Sequence, residues 1–229
     1  YTQLDARVTA LGLSQVPQGE VLAVIDADPL TLIIFMLACL RQKITFCPIN
    51  PIFSAEEITQ RCAQAGIHYY YAPLPLPLPD MQRITLSKPR CTETALSLSQ
   101  PCTLVFTSGS SGHAKAAQHS LANHYYSALG SQQLIPFHPQ DCWLLSLPLY
   151  HIGGIALVLR AFFAGGSVAL GSKDIHHDLS QWPITHASLV PTQVYRLLQQ
   201  PTLINIKLRY LLVGGAALNN QLIQQLAAL

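Results

Sequence analysis

Charged side chains are scarce in this sequence. Asp, Glu, Lys and Arg make up 10% of its 229 residues and half of the residues are hydrophobic, whereas an ordinary soluble domain has about 25% charged residues. The net charge is +2, and the basic residues form no runs. The small net charge and the lack of basic runs both argue against a surface that binds nucleic acid or an anionic membrane. The composition favours an α/β protein rich in buried core, or a piece of a protein whose apolar surface is covered by a missing partner.

Long hydrophobic runs and paired cysteine motifs are also absent. The longest nearly apolar run covers residues 30–40, which is short of the roughly 20 residues that span a bilayer and favours a buried helix. None of the six cysteines forms a Cys-x-x-Cys pair, so we expect reduced cysteines in a cytosolic protein. His119 and His124 lack a neighbouring carboxylate motif, and His176-His177 are interpreted as a polar loop. No metal site is therefore expected.

Short β-rich runs alternate with helical patterns along the chain. Val21–Ile25 predicts a strand, and the spacing of Ser54 and Glu57 predicts a capping box that begins a helix. This alternation predicts an α/β fold, with two packed subdomains of mostly parallel sheets flanked by helices.

A proline-rich run at residues 72–80 is typical of a stiff extended connector. We therefore predict a first α/β subdomain over residues 1–80. The second, over residues 81–229, would carry the segment with most of the chemistry.

That segment, residues 107–115, reads Thr-Ser-Gly-Ser-Ser-Gly-His-Ala-Lys and follows an apolar strand. Glycines let the backbone aim its N–H groups at an anion, hydroxyls add donors, and Lys115 adds charge. We interpret the segment as a polyphosphate-binding loop between a strand and a helix that begins near Ser120. It is not a Walker A loop, because Lys115 does not directly follow Gly112. The alternative is a flexible Ser/Gly-rich surface loop.

This loop resembles the phosphate-loop signature of the adenylate-forming superfamily, which includes acyl-CoA synthetases, luciferases and peptide-synthetase adenylation domains. Ala114 stands where that family usually has Pro. Further segments resemble family blocks in the same order, namely Pro48–Pro51, Leu147–Gly154, Ser188–Thr192 and Leu212–Leu218. Other stretches look like the o-succinylbenzoate–CoA ligases of menaquinone biosynthesis, at residues 115–120, 134–137, 141–149 and 185–193.

The resemblance implies the incomplete large N-terminal domain of an acyl-CoA synthetase, without the C-terminal domain. It implies that a carboxylic acid, with o-succinylbenzoate as the best candidate, is activated by ATP to an acyl-adenylate and transferred to coenzyme A. The implied ligands are the acid, ATP, Mg²⁺ and coenzyme A, in a cytoplasmic enzyme without nucleic-acid or membrane partners. A homodimer is suggested because the family is commonly dimeric.

The resemblance also assigns residue roles. His151 and Lys115 are the catalytic candidates, and the phosphates and adenine are assigned to Thr107, Ser108, Gly109, Ser110, Ser111, Gly112, Lys115, Gly214, Gly215 and Ala216. His151, Ser188, Thr192 and Arg196 are assigned to binding of the acid. No residue of the chain is assigned as a metal ligand. Without the resemblance, His151 fits a core histidine, Gly214–Ala216 a tight turn, and Arg196 a solvated helix residue.

The family blocks with a magnesium-binding Glu, a ribose-binding Asp and a catalytic Lys would lie beyond residue 229, so we expect this chain alone to be inactive. Three other functions stay open. They are a ligase for another acyl or aryl acid, a non-catalytic ATP-binding module and, least favoured by the missing Gly-Lys-Ser/Thr, a phosphohydrolase.

Overall fold

The computed structural model describes residues 1–87, 95–107, 115–172, 174–199, 207–217 and 220–227. Contacts divide the chain into two compact units, the first comprising Tyr1–Tyr126 with Leu149–Ile152 and the second Ser127–Pro148 with Gly153–Leu229. Among the described residues, no helix is long and apolar enough to cross a membrane.

The first unit is built around a six-stranded sheet with the strand order β4-β3-β1-β2-β5-β6. Neighbouring strands pair in parallel, except that β5 and β6 are antiparallel. In chain order its elements are α1 (Thr2–Ala10), β1 (Val21–Ile25), α2 (Pro29–Arg41), β2 (Thr45–Ile49), α3 (Ala55–Gln64), β3 (Tyr69–Tyr71), β4 (Gln82–Arg83), β5 (Pro101–Thr107) and β6 (Lys115–Ser120). Helix α4 (Leu121–Gln132) follows, and the division between the units falls within it.

The second unit contains a four-stranded, all-parallel sheet with the order β10-β9-β7-β8. Its elements are β7 (Cys142–Leu145), α5 (Ile152–Phe163), β8 (Ser167–Leu170), α6 (Ile175–Gln181), β9 (His186–Leu189), α7 (Pro191–Leu198), β10 (Tyr210–Val213) and α8 (Asn220–Ala227). Strands and helices alternate throughout this unit, which is the pattern that places helices on the faces of a parallel sheet.

Local sequence signals explain where the helices of the first unit begin. Helix α2 starts with Pro29 after Asp28, whose carboxylate accepts hydrogen bonds from the N–H groups of Leu30 and Thr31 at 3.3 and 2.9 Å. Helix α3 begins with the predicted capping box. The Ser54 N–H donates to Glu57 Oε2 at 2.9 Å, and the Glu57 N–H donates to Ser54 Oγ at 3.2 Å.

Each unit has its own apolar core. In the first, buried residues of β1 and β2 pack with Ile58 and Cys62 of α3. In the second, Leu144, Ala187 and Leu189 of the sheet pack with Val194 and Leu197 of α7. The described cysteines are free, namely Cys39, Cys47, Cys62, Cys102 and Cys142.

The predicted subdomain boundary after residue 80 does not coincide with this division. Strands β3 and β4 pair with each other on opposite sides of residue 80. Strand β5 pairs with β2 in the same sheet. The proline-rich run therefore connects two neighbouring strands of one sheet.

Two local predictions are wrong. The helix predicted to begin near Ser120 is present as α4, but the loop does not lead directly into it, because residues 115–120 form strand β6, hydrogen-bonded to β5. His176 and His177 lie in helix α6 and not in a polar loop. The Asp174 carboxylate caps this helix by accepting from the His177 N–H at 3.1 Å, and Leu179 anchors it in the core.

Candidate functional site

A cavity of about 400 Å³ lies within the first unit, at the carboxyl ends of β2 and β5. This edge of a parallel sheet is where α/β proteins usually bind ligands, and the volume is in the range of small-molecule pockets. The lining is mainly apolar with a few polar groups, and consists of Pro48, Ile49, Asn50, Phe53, Arg61, Val105, Phe106, Thr107, Ala117, His119, Tyr150, His151 and Ile152.

The two ends of the predicted phosphate loop lie together in space. Thr107 is the last residue of β5 and pairs with Lys115, the first residue of β6. The Thr107 hydroxyl donates a hydrogen bond to the Lys115 carbonyl oxygen at 3.3 Å. The loop residues between them lie outside the described residues, including the predicted Ser108, Gly109, Ser110, Ser111 and Gly112. The described ends are thus the base of an antiparallel hairpin.

His151 lines the same cavity as Thr107. Its side chain is exposed, and its ring lies edge-on to the Tyr150 ring with 4.9 Å between the centroids. The interpretation as a core histidine is therefore excluded. An exposed imidazole beside a cavity can donate or accept a hydrogen bond to a ligand.

Two polar residues of this cavity, Arg61 and His119, are not among the predicted site residues. The Arg61 guanidinium carbon lies 4.4 Å from the centroid of the Phe53 ring and 6.0 Å from that of Phe106. The Nδ1 atom of His119 is buried and has no hydrogen-bond partner in the part of the chain that the structure describes. In helix α3, Arg61 faces the cavity and its neighbour Cys62 faces the core. The sequence alone does not indicate this, because the cavity forms only in the folded unit.

His119 packs against a second histidine that is held neutral. The centroids of the His119 and His124 rings are 5.5 Å apart. His124 Nε2 is hydrogen-bonded to Thr103 Oγ1 at 2.9 Å, inside the core. Burial lowers the pKa of His124 to about 4, and the neighbouring His119 adds to that effect.

In the second unit, the predicted adenine-binding residues form a turn at the carboxyl end of β10. The Gly214 N–H donates to the Leu189 carbonyl oxygen at 3.1 Å, which ties the turn to β9. Gly215 has a φ of +88°, and a Cβ there would lie 3.4 Å from Val190 Cγ1. Because L side chains rarely adopt this φ, the tight turn itself requires glycine at this position.

The residues predicted to bind the acid differ in exposure. Ser188 is buried on β9, and its hydroxyl accepts a hydrogen bond from the Trp143 indole N–H at 3.0 Å. Thr192 and Arg196 are exposed and lie one turn apart on α7, so they share a face of that helix.

A further cation of the second unit, Arg160, lies in the apolar helix α5. Its Nε atom is buried and has no hydrogen-bond partner among the described residues. Its guanidinium carbon lies 5.9 Å from the centroid of the Trp143 ring. Burial lowers the pKa of Arg160, because a buried environment disfavours the charged form. The signal in the sequence was a lone Arg within Ile-Gly-Gly-Ile-Ala-Leu-Val-Leu-Arg-Ala-Phe-Phe.

No group of three His, Cys, Asp or Glu residues is positioned to hold a metal ion within the described ranges.

Comparison with known proteins places these features in a family. The chain is 29% identical to the 2-succinylbenzoate–CoA ligase of Haemophilus influenzae over 228 residues, covering 98% of this chain and 48% of that protein. It is 31% identical to the Staphylococcus epidermidis enzyme of the same name over 203 residues, covering 84% of this chain and 43% of that protein. The chain thus spans about half the length of the curated relatives it matches.

Solved structures give the same result. Wild-type Escherichia coli MenE, bound to an m phenylether-linked analogue of OSB-AMS, matches with a TM-score of 0.87 and 29% identity over 99% of this chain and 52% of that chain. Bacillus subtilis o-succinylbenzoate coenzyme A synthetase with ATP and magnesium matches with a TM-score of 0.89 and the same coverages, but at 22% identity it supports the fold alone. The predicted fold class is confirmed.

The sequence profile described as "AMP-binding enzyme" matches residues 1–229. The chain therefore belongs to the AMP-binding enzyme family.

Proposed function

We propose that this chain forms the ATP-binding part of an AMP-forming acid–thiol ligase. The enzyme would activate o-succinylbenzoate to an acyl-adenylate and transfer the acyl group to coenzyme A. The observation that carries the proposal is the family match over residues 1–229. Relatives named 2-succinylbenzoate–CoA ligase in two organisms, matched over 98% and 84% of this chain, support the choice of acid.

In the first half-reaction, a carboxylate attacks the α-phosphate of ATP and pyrophosphate leaves. The protein must hold two anions together and stabilise the charge that moves onto the pyrophosphate. Thr107 and the glycines and serines up to Gly112 would bind the β- and γ-phosphates, with Lys115 compensating their charge. Exposed His151, on the same cavity as Thr107, would contact the reacting carboxylate and α-phosphate.

ATP would bring Mg²⁺, which compensates phosphate charge when it is bound. The adenine ring would lie against Gly214, Gly215 and Ala216, where a turn without large side chains leaves the backbone accessible. A Cβ at Gly214 would meet no atom within 4 Å, which is consistent with open space beside this turn.

A second carboxylate on the acid requires a compensating positive charge. Arg160 meets this requirement better than the predicted Arg196, because its Nε is buried without a hydrogen-bond partner in the described structure, whereas Arg196 is exposed. Ser188 and Thr192 remain candidates for hydrogen bonds to the same acid. The Ser188 hydroxyl still has its proton to donate, since it acts as acceptor toward Trp143.

The cytoplasmic location and the homodimer are also proposals. The free state of Cys39, Cys47, Cys62, Cys102 and Cys142 supports a reducing compartment. The homodimer rests on the family resemblance alone. The small net charge of +2 supports small-molecule partners over nucleic acid.

The test is pyrophosphate release by the intact protein with Mg-ATP and coenzyme A. The acids compared are o-succinylbenzoate, benzoate and succinate. We expect release with o-succinylbenzoate alone, and loss of release in Lys115→Ala and Ser110→Ala. Lys43→Ala is the matched control, because Lys43 is exposed at the turn before β2 and outside the cavity lining.

Other outcomes separate the alternatives. Release with a different acid keeps the ligase chemistry and removes o-succinylbenzoate. ATP binding without acid-dependent release supports a non-catalytic module, and release of orthophosphate supports a phosphohydrolase. Arg160→Met should raise the KM for o-succinylbenzoate at least tenfold and leave the KM for ATP within about twofold, on the scale of one charge-assisted hydrogen bond.

A further inference from the structure

The cavity of the first unit combines a permanent cation with no acidic lining residue. Its polar lining groups are Asn50, Arg61, Thr107, His119, Tyr150 and His151, and no Asp or Glu is among the described residues that line it. Such a composition favours an anionic ligand, because a cation at the wall of a mainly apolar cavity attracts negative charge more strongly than it would in water.

The Arg61 guanidinium is held in place by aromatic rings. Phe53 lies 4.4 Å and Phe106 6.0 Å from its central carbon, measured to the ring centroids. Stacking of this kind fixes the plane of a guanidinium and leaves its N–H groups at the edge to donate in that plane. Arg61 is therefore oriented before any ligand arrives.

The acid nearest to Arg61 on its own helix is already engaged. Glu57 lies one turn earlier on α3, and its carboxylate accepts the Ser54 N–H at 2.9 Å in the capping box. That backbone hydrogen bond is the main cause of the lowered pKa of Glu57, and Arg61 contributes least among the causes. The charge of Arg61 thus remains available to a ligand in the cavity.

His119 supplies the second observation that points to a ligand. Its buried Nδ1 has no partner among the described residues, and a buried polar atom left unpaired is costly. The neighbouring His124 is committed to Thr103, at 2.9 Å. His119 also lines the cavity, so its ring can contact a ligand there without disturbing that pair.

We infer that Arg61 and His119 form an anion-binding subsite for a phosphate group, in addition to the residues already proposed to bind the phosphates of ATP. The inference rests on the proposed function, which supplies two phosphate-bearing sources, namely the pyrophosphate that leaves ATP and the phosphates of coenzyme A. Arg61 donates to the phosphate oxygens, and the His119 ring donates a further hydrogen bond from an imidazole N–H.

The experiment measures binding of inorganic pyrophosphate and of coenzyme A, each alone, to the intact protein by calorimetry. Arg61→Met should weaken binding of one or both probes by about tenfold or more, the range of a charge-assisted hydrogen bond. Arg7→Met is the matched control, because it removes the same charge from an exposed position on α1. His119→Asn, which keeps a side-chain N–H donor, should retain more affinity than His119→Phe.

The pattern of losses identifies the phosphate source. Loss for pyrophosphate alone assigns the subsite to the leaving group, and loss for coenzyme A alone assigns it to the thiol substrate. If Arg61→Met does not fold, as judged by its thermal unfolding, Arg61→Gln must show the same loss. The subsite would be overturned if, for each of the two probes, Arg61→Met bound as tightly as the control Arg7→Met.

Failure of the subsite and failure of the proposed function give different results. If ATP binds and Lys115→Ala abolishes that binding, while the Arg61 variants bind both probes normally, the subsite is wrong and the ligase proposal stands. If wild-type protein does not bind ATP, the ligase proposal fails. Arg61-dependent binding of pyrophosphate would then still establish the anion site.

Discussion

The indole N–H of Trp143 donates a hydrogen bond to the hydroxyl of Ser188, 3.0 Å away across strands β7 and β9. Both side chains are buried, at 1% and 4% exposure. Ser188 therefore has a structural role whether or not its hydroxyl proton is donated to a substrate. The same bond fixes the position of the ring beside which Arg160 lies.

Ser188→Ala should lower the free energy of unfolding by about 1–3 kcal/mol, because it leaves the buried Trp143 N–H without an acceptor. Urea unfolding followed by circular dichroism measures the change. Ser180→Ala is the control, since Ser180 is exposed and its hydroxyl donates to the His177 carbonyl of its own helix. We expect a loss below about 0.5 kcal/mol there. Equal losses in both variants would show that the Trp143–Ser188 bond contributes nothing specific.

Local patterns in the sequence predicted several elements closely. The strand at Val21–Ile25 has the predicted limits, and the capping box of Ser54 and Glu57 is confirmed by both of its hydrogen bonds. These features depend on residues a few positions apart, so the sequence contains the information directly.

Features that depend on distant pairing were not predictable in the same way. Strand β6 contains no fully buried residue and owes its extended conformation to pairing with β5. The partners of Arg61 and His119 come from separate elements that meet only in the folded unit. Composition alone predicts a phosphate loop at residues 107–115, and that stays a prediction. The surroundings of Arg61 and Arg160 are set by tertiary structure, so local sequence patterns gave no indication of them.

The glycine pair at the start of α5 offers a contrast between two neighbouring positions. A Cβ on Gly154 would lie 2.4 Å from the Pro148 carbonyl oxygen, whereas one on Gly153 would lie 3.1 Å from Leu147 Cδ1. The backbone oxygen cannot move aside cheaply, but a leucine methyl group can.

Gly154→Ala should therefore destabilise the protein by more than about 2 kcal/mol, the scale of an overpacked core position. Gly153→Ala should change stability by less than about 1 kcal/mol, because the higher helix propensity of alanine offsets the contact. Thermal unfolding of both variants measures the difference. The steric argument is wrong if Gly154→Ala is the more stable of the two.

Two arginine–aspartate pairs differ mainly in burial. Asp141 has 7% side-chain exposure in its pair with Arg209, whereas Asp5 has 60% in its pair with Arg41. Arg209→Met should cost about 2 kcal/mol, because a mostly buried carboxylate loses its counter-charge. Arg41→Met should cost less than about 1 kcal/mol.

Urea unfolding at pH 7 measures both losses. Asp141 also accepts a hydrogen bond from the His138 N–H at 2.9 Å. Burial opposes its ionisation, but the His138 and Arg209 hydrogen bonds outweigh burial and lower its pKa. Similar losses in the two variants would mean that the half-exposed Arg209 contributes no more than a surface charge.

The buried His124 makes stability depend on pH in a defined window. Its pKa falls from an ordinary value of 6.5 to about 4 in the folded protein, so between these values the unfolded chain binds the proton more tightly. Stability is therefore highest above pH 6.5 and decreases as the pH falls toward 4. A pKa difference of this size corresponds to a change of about 3 kcal/mol in the free energy of unfolding.

His124→Gln should reduce this dependence, because glutamine can keep the hydrogen bond to Thr103 but does not titrate. Urea midpoints measured from pH 7 to pH 4 should fall less steeply in the variant than in the wild type. Part of the slope should remain, since burial also lowers the pKa of His186. The control is His68→Gln at an exposed position, which should leave the slope unchanged. If the His124 and His68 variants show the same slope, protonation of His124 does not govern acid sensitivity in this window.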